Sequence, residues 1–259
     1  MESPQYEPDD ELTKMPFTVH LIELRHRLIR IVLLVLGLFL CMLPFANHLY
    51  EALSNPLRGK LPANSSMIAT DVTATFLAPF KLNFFVAIML AMPFILYQLW
   101  QFIAPALYKN EKRIAIPILL SSIILFYLGI AFAYFVTLPA VLTFFIHAAP
   151  DTVAPMTDIN SYLGFCLKLF LVFGLTFEVP IATLLLILAG VVSIDDLVAK
   201  RRYIIVGCFF VAMFITPPDA LSMLMLAIPM WLLFELGLLI ARILLSKKMI
   251  DFISLDNVI

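Results

Sequence analysis

Residues 203–240, YIIVGCFFVAMFITPPDALSMLMLAIPMWLLFELGLLI, decide how the chain is arranged. The run is interrupted at Thr216-Pro217-Pro218-Asp219, where paired prolines fix φ and remove backbone donors. Two helices are therefore predicted, Tyr203–Thr216 and Leu221–Ile240. The uncharged run 203–218 reaches only about 24 Å as a helix, less than the roughly 30 Å of a hydrocarbon core. It reads either as a short crossing through locally thinned bilayer or as half of a hairpin that does not cross.

A bilayer-spanning helix needs about 20 predominantly apolar residues. The chain offers Leu28–Phe45, a stretch from 82 to about Ile103, and Ile114 to about Val136. A fourth follows at 162–188, interrupted by Lys168 and Glu178. Pro139 is expected to open a loop reaching Asn160, and Asn47–Thr75 to form a long loop carrying Pro56 and Pro62. Counting Tyr203–Thr216 as a crossing gives six spans and puts both termini on one side. That side collects Lys14, Arg25, Arg27, Arg30, Lys109, Lys112, Arg113, Lys200, Arg201, Arg202, Arg242, Lys247 and Lys248. Only Arg58, Lys60 and Lys81 fall opposite, with Lys168 inside the fourth span. The asymmetry favours six spans over five and makes both termini cytoplasmic. The expected fold is an all-α polytopic membrane protein with six transmembrane helices, the fifth and sixth short.

Composition agrees. Of 259 residues, 63% are hydrophobic and 14% charged, against roughly 45–50% and about 25% in soluble domains. This excludes a disordered chain, a basic nucleic-acid-binding domain and an ordinary cytosolic enzyme. Residues 1–17 read as a flexible acidic leader; with Glu2, Glu7, Asp9, Asp10 and Glu11 against Lys14, it is not a secretory signal. Residues 18–245 form the transmembrane domain and 246–259 a short cytoplasmic tail. Cys41, Cys166 and Cys208 lie in apolar runs and read as core residues. His20, His26, His48 and His147 lack metal-ligand spacing, and no phosphate loop or nucleophile elbow occurs. No metal, cofactor or catalysis is expected.

Attention then falls on a few charges. In His20–Leu28 the helical period sets Leu21, Leu24 and Leu28 on one face and His20, Glu23 and Arg27 on another. Glu23 is either an i,i+4 partner of Arg27 or an acidic receptor on a basic face. Glu111 is the sole acid among Lys109, Lys112 and Arg113, again a local pair or a receptor. Two carboxylates at the membrane surface suit guanidinium, whose planar fork bonds bidentately. Glu178, in Phe177-Glu178-Val179-Pro180, is costly inside a span unless paired, protonated or wetted, and Pro180 suggests a kink there. Lys168 is placed to snorkel to the outer surface. Glu235 shares a face with Arg242, and Ser193-Ile-Asp-Asp196 matches a capping box. These residues alone also admit a proton-coupled secondary transporter of a small solute using Glu178. The first three spans hold no corresponding acid or break, which counts against it.

Six segments, His20–Leu28, Met67–Lys81, Phe102–Arg113, Leu125–Phe135, Phe177–Pro180 and Thr216–Pro229, resemble in order the TatC family, the multispanning component of the twin-arginine (Sec-independent) protein translocase. The likeness runs from about Thr18 to about Arg242. It implies a receptor and core component in the bacterial inner membrane. That receptor binds twin-arginine signal peptides of precursor proteins and exports folded cargo with proton-motive force. The resemblance further implies that Glu23 and Glu111 face the paired arginines, with Arg25 and Phe102 beside them. Glu178 would line a concave, partly hydrated face. TatA-like and TatB-like single-span subunits would dock around Thr216 and Asp219 in a multimeric complex. The family pattern has glutamine where Met223 stands here, so this chain offers an apolar side chain at that position.

Overall fold

The computed structural model describes residues 17–58, 68, 72–107, 112–148, 158–188, 190–216 and 220–256. Side chains are described over a narrower set, from Leu21 to Ile243. The elements are helical, with one isolated bridge between Ile68 and Asp158. Helix α1 spans Phe17–Met42 and passes through a 3-10 turn, Leu43–Phe45, into α2, Ala46–Arg58. Helix α3 is Val72–Leu107, and α4, Lys112–Phe132, continues through a π turn, Ala133–Thr137, into α5, Leu138–Ala148. Then come α6 (Ile159–Phe177), α7 (Val179–Leu188), α8 (Ile194–Ala199), α9 (Arg201–Ile215) and α10 (Ala220–Asp256).

Among the described residues five stretches are long and apolar enough to cross a bilayer: Leu21–Leu53, Phe76–Phe102, Ile116–Phe145, Ile159–Ile187 and Ala220–Ile243. Helix α9, with 15 residues, reaches about 22 Å, as the short run before the prolines predicts. The chain runs back and forth between a proximal end, where α1 begins, and a distal end carrying α2. Many large apolar side chains are exposed, among them Leu33, Ile116, Phe135 and Phe214. In a chain of this kind these face lipid rather than water.

Three expectations are corrected. The long loop predicted over 47–75 contains α2 and the first turn of α3. Leu49, Tyr50 and Leu53 of α2 pack on the core while Asn47, His48 and Glu51 are exposed, so amphipathicity holds the segment helical. The loop predicted from Pro139 is helix α5 instead. Proline cannot donate to the carbonyl one turn back, and the π turn just before it loosens the spacing at that point. Leu138 and Val141, both fully buried, continue the apolar face past it. Finally, α10 does not stop near Ile240 but continues to Asp256.

The core gathers on α6. Phe173 is fully buried, and Phe132 of α4 stacks near Phe173 and Phe177 with ring centroids 5.5 and 5.7 Å away. Helices α4 and α6 approach closely at glycine. A Cβ on Gly129 would stand 2.6 Å from the Phe173 carbonyl oxygen, and one on Gly174 would stand 2.7 Å from the Phe126 ring. At the proximal end α7 packs on α10 in the same manner, where a Cβ on Gly237 would lie 2.8 Å from Pro180 Cα. Small residues at such crossings let backbones pack by van der Waals contact, the main source of helix association in lipid.

Candidate functional site

The proximal ends of α1 and α3 are stitched by one guanidinium. Arg27 donates from Nε to Glu23 Oε1 at 3.0 Å, and its Nη2 bonds the same oxygen. Its Nη1 donates to Gln98 Oε1 at 3.0 Å and to Gln101 Oε1 at 2.8 Å. Gln101 in turn donates to the Tyr97 hydroxyl. The Arg27 side chain keeps 15% of its exposure and Glu23 keeps 38%. The i,i+4 pair forms, and it displays a carboxylate gripping an arginine fork with its second oxygen, Oε2, unbonded among the described residues.

Arg25 is exposed on the same helix, and Phe102 is half-buried near the end of α3. Glu111 lies outside the described residues. Gln98 and Gln101 were not among the expected site residues. Their signal was present: two amides three apart in an otherwise apolar stretch share a helix face.

Glu178 occupies the single turn residue between α6 and α7. Its amide bonds the Leu175 carbonyl at 3.1 Å, and its own carbonyl accepts from Ala182 at 2.8 Å. Hydrogen bonding thus tightens to a three-residue turn at Glu178 and then resumes its four-residue spacing, with Glu178 itself in right-handed helical conformation. The Ser122 hydroxyl of α4 donates to Glu178 Oε2, while the buried Oε1 has no partner among the described residues. An unsatisfied buried carboxylate oxygen calls for water or a partner group. Ser122, almost fully buried, was likewise not anticipated.

At the distal end Thr216 caps α9 and is buried, with its hydroxyl donating to the Ala212 carbonyl at 3.0 Å. Asp219 lies outside the described residues, and Met223 is half-buried. Around Thr216 the outward faces are apolar: Phe210, Met213 and Phe214 of α9, Leu221 and Leu224 of α10. Glu235 does not pair with Arg242; Arg201 Nη2 donates to Glu235 Oε2 at 2.6 Å. The start of α9 comes within reach because α9 packs antiparallel on α10. Lys168 is exposed.

The capping box forms as read. Ser193 Oγ accepts from the Asp196 amide at 3.1 Å, and the Asp196 carboxylate accepts from Ser193 in return. These hydrogen bonds hold the Asp196 carboxyl below its ordinary pKa. Among the described residues no group of three His, Cys, Asp or Glu side chains is arranged to hold a metal ion.

Comparison with known proteins assigns this arrangement to a family. The family described as Sec-independent protein translocase protein (TatC) matches residues 19–229. A Sec-independent protein translocase protein TatC from Azotobacter chroococcum mcd 1 is 53% identical over 230 residues, covering 89% of this chain and 90% of the relative. The protein of the same name from Escherichia coli (strain K12) is 50% identical over 232 residues, covering 90% of each. A crystal structure of the twin arginine translocase receptor TatC superimposes with a TM-score of 0.79 at 37% identity, covering 86% of this chain and 98% of that one. The six-crossing, all-helical arrangement with a short fifth helix is consistent with that fold. This chain is a polytopic membrane protein that belongs to the TatC family of Sec-independent protein translocase proteins.

Proposed function

We propose that this translocase protein is the receptor that binds twin-arginine signal peptides at the cytoplasmic membrane surface, using Glu23 and Glu111. The observation that carries the reading is the Glu23 carboxylate holding the Arg27 fork, buttressed by Gln98 and Gln101. A site that already takes guanidinium in this way takes a peptide arginine by the same bonds and discriminates against lysine, which lacks the fork. An incoming arginine either displaces Arg27 or bonds the second oxygen of Glu23. Arg25 and Phe102 border the same surface, the first tuning local charge and the second offering apolar contact to the peptide.

The surplus of basic residues at the proximal end supports placing both termini in the cytoplasm and the chain in the bacterial inner membrane. TatA-like and TatB-like single-span subunits are its partners in this reading, docking on the apolar outer faces of α9 and α10 around Thr216 and Asp219. The buried hydroxyl of Thr216 would shape that surface by fixing the end of α9 rather than by touching a partner. Six helices of this size are too few to ring a channel wide enough for folded cargo. Movement therefore needs the assembled complex, with bilayer thinned beside the 15-residue α9.

The test is site-specific crosslinking of a twin-arginine signal peptide to positions 23 and 111, with export of a twin-arginine reporter read in parallel. Crosslinks at both positions that vanish when the peptide carries paired lysines are expected. Glu111→Lys should abolish export while the protein stays in the membrane; normal export by that variant removes Glu111 from the site.

A further inference from the structure

At the distal end, far from Glu23, an open cavity of about 600 Å³ lies among α3, α5, α6 and the end of α9. Its polar rim includes Lys81, Asn160 and Lys168, and its walls include Phe145, Phe165 and Ile215. Lys81 Nζ donates to Asn160 Oδ1 at 3.0 Å, which fixes one ammonium at the mouth. Lys168 is exposed and makes no hydrogen bond or ion pair with any described residue. It sits nine residues into α6, about 13 Å along the helix from its start. An ammonium at that depth in a span is costly unless it meets an anion or water.

Among the described residues no acid lines the cavity. Asp158, the acid at the start of α6, is engaged by its own helix, accepting from Ser161 N and Oγ at 2.9 Å each. The cavity therefore combines two cations with apolar walls and lacks a described carboxylate that would neutralise them.

We propose that this cavity binds an anionic phospholipid, its phosphate held by Lys81 and Lys168 and its chains laid against Phe145 and Phe165. Charge complementarity selects the headgroup, since two ammonium groups favour a net negative lipid over a zwitterionic one. The apolar walls within the membrane-spanning region select a lipid over free phosphate, which gains nothing from them. Extended along the cavity wall toward the mouth, Lys168 meets a counter-charge in the phosphate that Lys81 also holds.

Native mass spectrometry of the purified protein in mild detergent, supplied with phosphatidylglycerol or phosphatidylcholine, tests the proposal. The wild type should retain phosphatidylglycerol about tenfold better than phosphatidylcholine, as expected for two charge-assisted contacts partly screened by water. Lys81→Gln with Lys168→Gln should reduce phosphatidylglycerol retention to the phosphatidylcholine level, whereas Lys168→Arg should keep it. Both side chains are exposed, so folding is preserved, and thermal unfolding of each variant verifies it. Undiminished retention in the double variant overturns the site, as does equal retention of the two lipids. Displacement of the lipid by millimolar inorganic phosphate overturns the choice of lipid over free anion. Loss of bound phosphatidylglycerol whenever a single-span partner protein co-purifies reassigns the two lysines to that protein.

Discussion

Arg201 and Glu235 close an ion pair between the first turn of α9 and the middle of α10, with N and O 2.6 Å apart. The next residue, Arg202, lies over the Tyr203 ring, 4.9 Å from its centroid, so adjacent arginines do separate work. The pair anchors the proximal end of the short α9 to the long helix beside it.

Glu235→Gln should therefore loosen α9. The side chains retain 41% and 26% of their exposure, so screening limits the loss to about 0.5–1 kcal/mol. In a chain of this length that corresponds to a Tm lower by about 1–4 °C in detergent. The swap Arg201→Glu with Glu235→Arg should recover most of it. No recovery would mean that the contact is incidental to stability.

For Glu178, the Ser122 bond sets the expectation. Ser122→Ala leaves the carboxylate without its described donor and should destabilise the protein by about 1–3 kcal/mol in detergent unfolding. Glu178→Gln keeps an acceptor for Ser122 and should preserve more reporter export than Glu178→Leu. Equal export by the two variants would show that polarity at this turn is irrelevant to transport.

Arg27→Gln tests the recognition geometry from the other side. Removing the internal guanidinium leaves Glu23 open, and a twin-arginine peptide should bind about threefold tighter. The gain stays below the tenfold of a 1.4 kcal/mol contact because Glu23 is more than a third exposed and water-screened. Fluorescence anisotropy of labelled peptide on purified protein measures it. Weaker binding would identify Arg27 as part of the peptide contact instead of its competitor.

Gly129→Ala should destabilise by about 1–3 kcal/mol, because its methyl meets the Phe173 backbone carbonyl, which cannot rotate aside. Gly164→Ala, whose added carbon meets nothing within 4 Å, is the control and should leave the Tm unchanged or slightly raised.

The Asp196 cap should show in the pH dependence of α8. Its folded-state pKa is depressed below 3.8, so the ionised form favours the folded cap. That support is fully present above the unfolded-state value and is lost as pH falls through the folded one. Amide exchange over Ile194–Ala199 should accelerate below about pH 3.8, and Asp196→Asn should remove that pH dependence.

Much of the fold was legible because bilayer-spanning helices advertise themselves in apolar runs, and because lysine and arginine punctuate them. Pro217 and Pro218 marked the break after α9, and Ser193 with Asp196 marked the start of α8. Pro139 misled because a π turn upstream accommodates it, and periodicity does not announce such a turn. The α2 segment was hidden by its polar face, which resembles a loop unless Leu49 and Leu53 are weighed as one stripe. In the candidate sites the charged members stood out from composition, whereas Gln98, Gln101 and Ser122 did not. Neutral polar residues earn their place there only through neighbours distant in sequence. Glu235 shows the same limit: its nearest basic residue on the helix was Arg242, but tertiary packing delivered Arg201.

The π turn at Ala133–Thr137 also bears on how this chain tolerates changes in length. A wide turn holds one residue more than the α-helical path requires, and here the surplus lies on the outside, where Phe135 and Val136 are exposed. Ala133 and Thr137, the buried residues of the turn, would still share a face if one outer residue were removed, since a three-residue spacing also returns to the same side of an α-helix. The third crossing can therefore shed a residue without rotating Leu138 and Val141 out of the core. A deletion in the uninterrupted α6 would turn everything beyond it by about 100°.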